Sequence, residues 1–406
     1  MFGAAVACCA FVVPAMAQQS DNTDEPPSFR AGDWLVVKPR TKIHLDFRGF
    51  QPVLDDKRKI FHKRRLRVGA DGILFRDFEY SVRVEARTAD LEFRDVFLKY
   101  RQLPSFQIQA GRFKIPFGLD QLTDSGELDF VQRSRVGSIL APGRDTGAMV
   151  LGELLEQKVF YSAGIFRHDG KNSEIEDFTA IDEYSAGGNR TVAARVTVAP
   201  FDNLELGTAF TRSDVATGLS SLPGVTVSDQ LFFPRMYVSG SRLRRGAELS
   251  WLLRSLSIKG EFVDVREQRL GQGLGGEDLP ALRTQGWYLS ATHPLLGRID
   301  NGPRGGFLRS ILPGKRLGLF EVAARYEVIR FSSKASTGSL PSRNPRAPNV
   351  AGNDDRVWTF GINWYLNRYL RFQFNGIRET LRDPVRTPMD GVAHYWTEVG
   401  RFQLYF

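Results

Sequence analysis

Between Phe78 and Arg87 the chain alternates without a break. Phe78, Tyr80, Val82, Val84 and Ala86 are apolar, and the residues between them, Glu79, Ser81, Arg83, Glu85 and Arg87, are polar or charged. A period of two puts these sets on opposite faces of an extended strand. About ten residues is the length of a tilted strand that crosses a bilayer, whereas strands of soluble sandwiches are commonly near five or six. The same pattern precedes this segment: Ile43, Leu45 and Phe47 alternate with Lys42, His44, Asp46 and Arg48, and Leu66, Val68 and Ala70 with Arg65, Arg67 and Gly69. Thirteen further segments follow, at 91–101, 106–114, 145–155, 158–168, 189–199, 203–213, 240–253, 256–268, 284–295, 317–332, 355–366, 368–379 and 394–406. The expectation is an all-β, antiparallel transmembrane barrel of about sixteen strands.

The connections support that reading independently. They alternate long and short: 115–144 is long and 156–157 short, 169–188 long and 200–202 short, 214–239 long and 254–255 short. Long loops on one side and tight turns on the other are the arrangement of outer-membrane barrels, with both termini on the tight-turn side. Segment 296–316 breaks the rule, being long, basic and glycine-rich on the tight-turn side; it either folds into the pore from below or hides a further strand. Aromatic residues near strand ends (Trp34, Tyr100, Tyr161, Trp251, Trp287, Trp364, Tyr365, Tyr369, Tyr395, Trp396, Tyr405) are candidates for interfacial girdles.

Residues 1–17 form an apolar run ending in Ala15-Met16-Ala17, which reads as a signal peptide cleaved near Ala17. Residues 18–33 read as a flexible leader, and 34–406 as the barrel. Both cysteines, Cys8 and Cys9, lie in the first segment, so the exported chain has no disulfide framework and no thiolate metal site. Beyond residue 17 no apolar run approaches the roughly 20 residues of a transmembrane helix. The formal charge of +9 points to an anionic partner. Export excludes nucleic acid and leaves small anions or lipopolysaccharide phosphates.

Enzyme motifs are missing. The five histidines (His44, His62, His168, His293, His394) are scattered, without HExxH spacing. There is no G-x-S-x-G elbow, and the glycine-rich GQGLGG at 271–276 lies between strands rather than before a helix. No cofactor, metal or catalytic residue is expected.

The stretch GRFKIPFGLDQLTDSGELDFVQRS followed by ILAPGRDTGAMV, with RDVFLKY before it, YSAGIFRHDG after it and a final strand ending in Phe406, resembles the phosphate-selective porin O and P family. The resemblance spans about 30–406. It implies an outer-membrane porin of sixteen strands, a homotrimer, whose third long loop folds inward to narrow the pore. Here that loop is 115–144, with Arg112 and Lys114 where it begins and Arg133, Arg135 and Arg144 in its middle and at its end. Two roles are open for these five residues: facing the solute, or pinning the loop to wall carboxylates.

On the wall, alternation turns Arg65, Arg67, Arg83, Arg195, Arg242, Arg244, Lys259, Arg325 and Arg371 inward, balanced in part by Asp46, Glu79, Glu85, Glu248, Glu261, Glu321 and Glu327. Rings of basic side chains favour anions, and arginine suits phosphate oxygens. The expected function is passive diffusion of small anions, with phosphate or polyphosphate as the leading solute. The alternatives are a general diffusion pore with weak selectivity, or an outer-membrane anchor that binds through its long basic loops.

Overall fold

The computed structural model describes residues 28–52, 61–86, 91–170, 190–296, 298–300, 310–312, 318–333, 340–367, 369–386 and 391–406. Sixteen long antiparallel strands pair in chain order. They are β1 (Leu35–Gln51), β2 (Phe61–Leu74), β3 (Phe78–Glu85), β4 (Glu92–Leu103), β5 (Phe106–Lys114), β6 (Arg144–Leu154), β7 (Val159–Phe166) and β8 (Thr191–Phe201), followed by β9 (Leu204–Leu219), β10 (Tyr237–Leu253), β11 (Leu256–Arg269), β12 (Leu279–Leu296), β13 (Leu319–Ser333), β14 (Asn353–Tyr365), β15 (Leu370–Leu381) and β16 (His394–Tyr405). β1 pairs with both β2 and β16, which closes the barrel; Lys42 lies opposite Tyr405 and also opposite Arg67. Closure leaves no unpaired edge, the only way a sheet can satisfy its backbone in lipid.

The period-two reading accounts for the two faces. Trp358, Phe360 and Ile362 on β14 are exposed, while Val357, Thr359 and Asn363 between and beside them are buried toward the interior. Outward aromatics form two bands. Trp287, Tyr326 and Trp358 contact one another at 5.5 and 4.6 Å. Phe320, Trp364, Phe372 and Phe402 stack in a row at 5.4, 5.7 and 5.2 Å. Tyr326 and Phe320, Trp358 and Trp364, and Trp396 and Phe402 are each six residues apart, about 20 Å along a strand. Three of the aromatics expected at interfaces turn inward instead: Tyr395 is fully buried in the interior cluster, Tyr365 accepts a hydrogen bond from Arg371, and Lys42 lies over the Tyr405 ring.

Two segments depart from expectation. The segment expected as a flexible leader, 18–33, carries a short strand near its end: Phe29–Ala31 pairs with the start of β1. Among the described residues of segment 296–316 there is no barrel strand: Arg298–Asp300 and Ser310–Leu312 pair with each other, as a separate ribbon on the tight-turn side. The expected signal peptide lies outside the described residues.

Phe360 lies between the aromatic bands on the outer face, two residues from Trp358 and four from Trp364, so Phe360→Arg should cost up to about 2–4 kcal/mol in denaturant unfolding from lipid vesicles. A cost near zero would place this residue outside the apolar band.

Candidate functional site

The chain leaves the wall after Lys114. Gly118 has φ +78°, and a Cβ there would lie 2.8 Å from Glu261 Oε1, so only glycine lets the backbone settle on that wall carboxylate. The single helical turn Leu119–Leu122 follows. Its second amide, Asp120 N–H, donates to Glu261 Oε2 at 2.8 Å. At its other end Lys114 Nζ donates to the carbonyls of Gln121, Leu122 and Thr123 at 2.6, 3.2 and 2.9 Å. Both ends of the turn are therefore satisfied, one by an acid and one by a base.

Residues 115–143 then run along the inside of the barrel, held mainly by their backbone. Arg325 on β13 donates to the carbonyls of Gln132 and Arg133 at 3.2 and 3.3 Å, and Arg371 on β15 to that of Leu128 at 3.0 Å. Asn363 on β14 donates to Asp129 O at 2.8 Å, Gln403 on β16 to Gly126 O at 2.8 Å and Arg244 on β10 to Leu140 O at 2.7 Å. In the opposite sense Val131 N–H donates to Asn375 Oδ1 at 2.8 Å, and Arg135 N–H to Glu327. Side-chain pairs add Lys259 to Asp129 at 2.9 Å and Lys42 to Asp124. Burial alone would raise the Asp124 carboxyl, but Lys42 and Lys114 outweigh it and hold the group well below the usual carboxylate range. Glu127 is raised, by burial first and by Asp124 second.

The loop's apolar side chains Phe117, Val136, Ile139 and Leu140 pack into a cluster with Val263, Tyr288 and Ile329 of the wall. A second inward segment, 220–236, joins the same cluster through Leu222, Phe232, Phe233 and Met236. Its Val227 N–H donates to Glu379 Oε1 at 2.6 Å, and Val225 O accepts from Arg135. Together the two segments fill the interior along β10–β15.

The other side stays open. A cavity open to solvent, about 740 Å³ with the solvent space at its mouth included, lies between the loop and strands β16, β1 and β2 and gives the loop a passage on that side. Six arginines line it: Arg48 on β1, Arg64 and Arg65 on β2, Arg401 on β16, and Arg133 and Arg135 from the loop. Asp229 is the one acidic residue among the described lining residues. The carboxylates at its margins are shared between bases. Asp46 takes a bidentate bond from Arg401 (2.6 and 2.8 Å) and has Arg48 at 3.7 Å. Glu85 has Arg67 at 3.0, Arg65 at 3.6 and Arg94 at 3.9 Å. Positive charge is therefore in excess along this wall.

Most of the residues expected from sequence lie elsewhere. Of the nine wall positions only Arg65 lines the passage. Arg67 and Arg83 are held by Glu85 and Asp71, Arg195 by Glu248, Arg242 by Glu267 and Asp169, and Arg244 by Asp169. Lys259, Arg325 and Arg371 hold the loop. Of the five loop positions, Arg133 and Arg135 reach the passage while also pinning the loop, Arg133 through Thr123 O at 2.7 Å. Lys114 caps the helical turn, and Arg144 is locked on Asp95 at 2.9 and 3.2 Å. Arg112 points away from the lumen: it lies opposite Val96, which lies opposite the exposed Val82, and the inward place beside it is taken by Phe113. Sequence reasoning missed Arg48, Arg64 and Arg401. Arg48 and Arg401 continue the inward alternation of their strands, but Arg64 does not. A β-bulge sets His44 opposite Arg65 and Leu45 opposite Lys63, so Arg64 is the extra residue and joins its neighbour on the inner side.

Two outcomes are expected. Arg325→Leu leaves two loop carbonyls without their donor and should raise both mean single-channel conductance and its fluctuation; an unchanged trace would mean the loop is held without Arg325. The Lys42–Asp124 pin, having a depressed acid, is fully present above the ordinary carboxylate pKa of about 4 and fades only as pH falls below it. The pin should therefore persist from about pH 7 to 4.5, and Asp124→Asn should change conductance throughout that range; a variant with wild-type conductance there would mean the pin does not set the loop's position.

The model of phosphate-selective porin O and P matches residues 37–406. No curated protein sequence matches the chain. Solved structures similar in fold include an anion-selective porin from Comamonas acidovorans (12% identity, TM-score 0.59, covering 92% of this chain and 100% of that one). The outer membrane channel DcaP of Acinetobacter baumannii aligns at 10% identity and TM-score 0.57, covering 93% and 99%. A trimer form of OmpT, an outer membrane protein of Vibrio cholerae, aligns at 10% and 0.55, covering 92% and 100%.

Proposed function

Since this chain belongs to the phosphate-selective porin O and P family, we propose that it carries small anions through the arginine-lined passage beside its inward loop. The chain is an outer-membrane channel and not an enzyme. The anion preference rests on one observation, the six arginines against a single aspartate around the passage. In a low-dielectric wall such a ring focuses a positive potential along the path of the solute. Arginine forks also match phosphate oxygens, so phosphate or polyphosphate is the leading solute. Residues 115–144 act as the constriction, assisted by 220–236. Homotrimer assembly, cleavage near Ala17 and contact with outer-leaflet lipopolysaccharide complete the proposal; the trimer is supported by the OmpT trimer form, whose fold this chain shares.

Purified channel in a planar bilayer under a potassium chloride gradient should show an anion-selective reversal potential. The double variant Arg48→Gln/Arg64→Gln should lower that preference without loss of the folded barrel. A cation-selective wild type would end the anion reading. Chloride current should fall when phosphate is added; if it does not, phosphate is not a preferred solute of this pore.

A further inference from the structure

One group of arginines lies outside the pore altogether. On the outer face of β13, β14 and the end of β15, Arg330 lies opposite Asp354, and Arg382 N–H donates to the Asp354 carbonyl at 3.0 Å. The Asp354 side chain is fully buried beneath three guanidiniums: Arg356 at 3.3 Å, Arg330 at 3.5 Å and Arg382 at 3.8 Å. Those separations are ion-pair contacts, and neither Asp354 oxygen accepts a hydrogen bond among the described residues. The three arginine side chains are 50, 51 and 64% exposed. One buried acid thus orders three bases, and their donor edges stay turned to the surroundings.

The height of this cluster identifies what surrounds it. Arg356 is two residues beyond Trp358 of the aromatic band, and Arg330 four beyond Tyr326, in the direction of the long loops. Those steps are about 7 and 13 Å along the strand. Arg378, whose guanidinium lies 5.5 Å over the Trp396 ring, marks the band itself on β15. The cluster therefore stands just above the apolar band on the long-loop side, at the level of the outer leaflet's polar groups. A net charge of +2 spread over three forks suits a phosphate monoester held at that height.

We propose that Arg330, Arg356 and Arg382, organised by Asp354, form a binding site for a phosphate of the outer leaflet's lipopolysaccharide, on its lipid A portion. This deepens the lipopolysaccharide contact proposed above and rests on that reading's orientation, with the long loops outside. Lipid A binding is read by native mass spectrometry of the detergent-purified channel. The probes are bisphosphorylated lipid A, the same lipid with its phosphates removed, phosphatidylglycerol and inorganic phosphate. The variant R330Q/D354N/R356Q/R382Q removes the acid with the bases, so that no buried charge is left alone. Wild type should retain bisphosphorylated lipid A over the other three probes. The quadruple variant should bind it on the order of 100-fold more weakly, about fivefold per arginine. Should that variant fold poorly, Arg382→Gln alone should show the single fivefold step. Equal retention of the dephosphorylated lipid, unchanged binding by the variants, or displacement by equimolar inorganic phosphate would each overturn the site. Reversal potential is recorded on the same proteins. It should stay at the wild-type value in the variants, so loss of the lipid site and failure of the anion reading are separate results.

Discussion

Backbone groups in an irregular segment inside a barrel have no ladder to pair with, and each one left buried and unpaired is costly. Here the wall supplies the partners. Arg325, Arg371, Arg244, Asn363 and Gln403 donate to loop carbonyls, and Glu261, Glu327 and Asn375 accept from loop amides. Because the contacts are to backbone, the loop's path is set by where strands β10–β16 carry these side chains. The position of the passage follows. With the loop held to that side, and 220–236 packed behind it, the open volume falls against β16, β1 and β2.

This division of labour separates two uses of the same residue type. Arg244, Arg325 and Arg371 are spent on structure, while Arg48, Arg64, Arg65 and Arg401 line the open cavity beside the loop. Both kinds point inward. A guanidinium carries five donors in a planar fork, so it can satisfy two carbonyls at once, as Arg325 does, or share a carboxylate and still present free edges. That versatility is why abundance of arginine alone is a poor guide to where an anion meets the protein.

The architecture was legible from the sequence because lipid imposes a simple rule: alternate, run about ten residues, and close. Sixteen strands were visible, and so was the inward loop once its length was compared with a hairpin. The site was less legible for definite reasons. Arg64 is hidden by a bulge, which breaks the period that assigned every other wall residue. Arg112 was grouped with the loop by its position at the loop's start, whereas Phe113 occupies the inward place there, within an apolar cluster with Phe166 and Ile115. Tyr365, Tyr395 and Tyr405 sit near strand ends, as girdle residues do, but a lumen filled by loops offers them an interior as well. Which arginines hold the loop depends on contacts more than 100 residues apart in the chain, and no local pattern records those.

The most direct test of this account is amide hydrogen exchange across 115–143 in the folded barrel. The amides of Asp120, Val131 and Arg135, each bonded to a wall side chain, should exchange as slowly as neighbouring strand amides, and far more slowly than that of Leu274 at the exposed tip of the 271–276 turn. Exchange in these three as fast as in that turn would contradict it, because a loop that opens freely cannot fix the passage against β1 and β2.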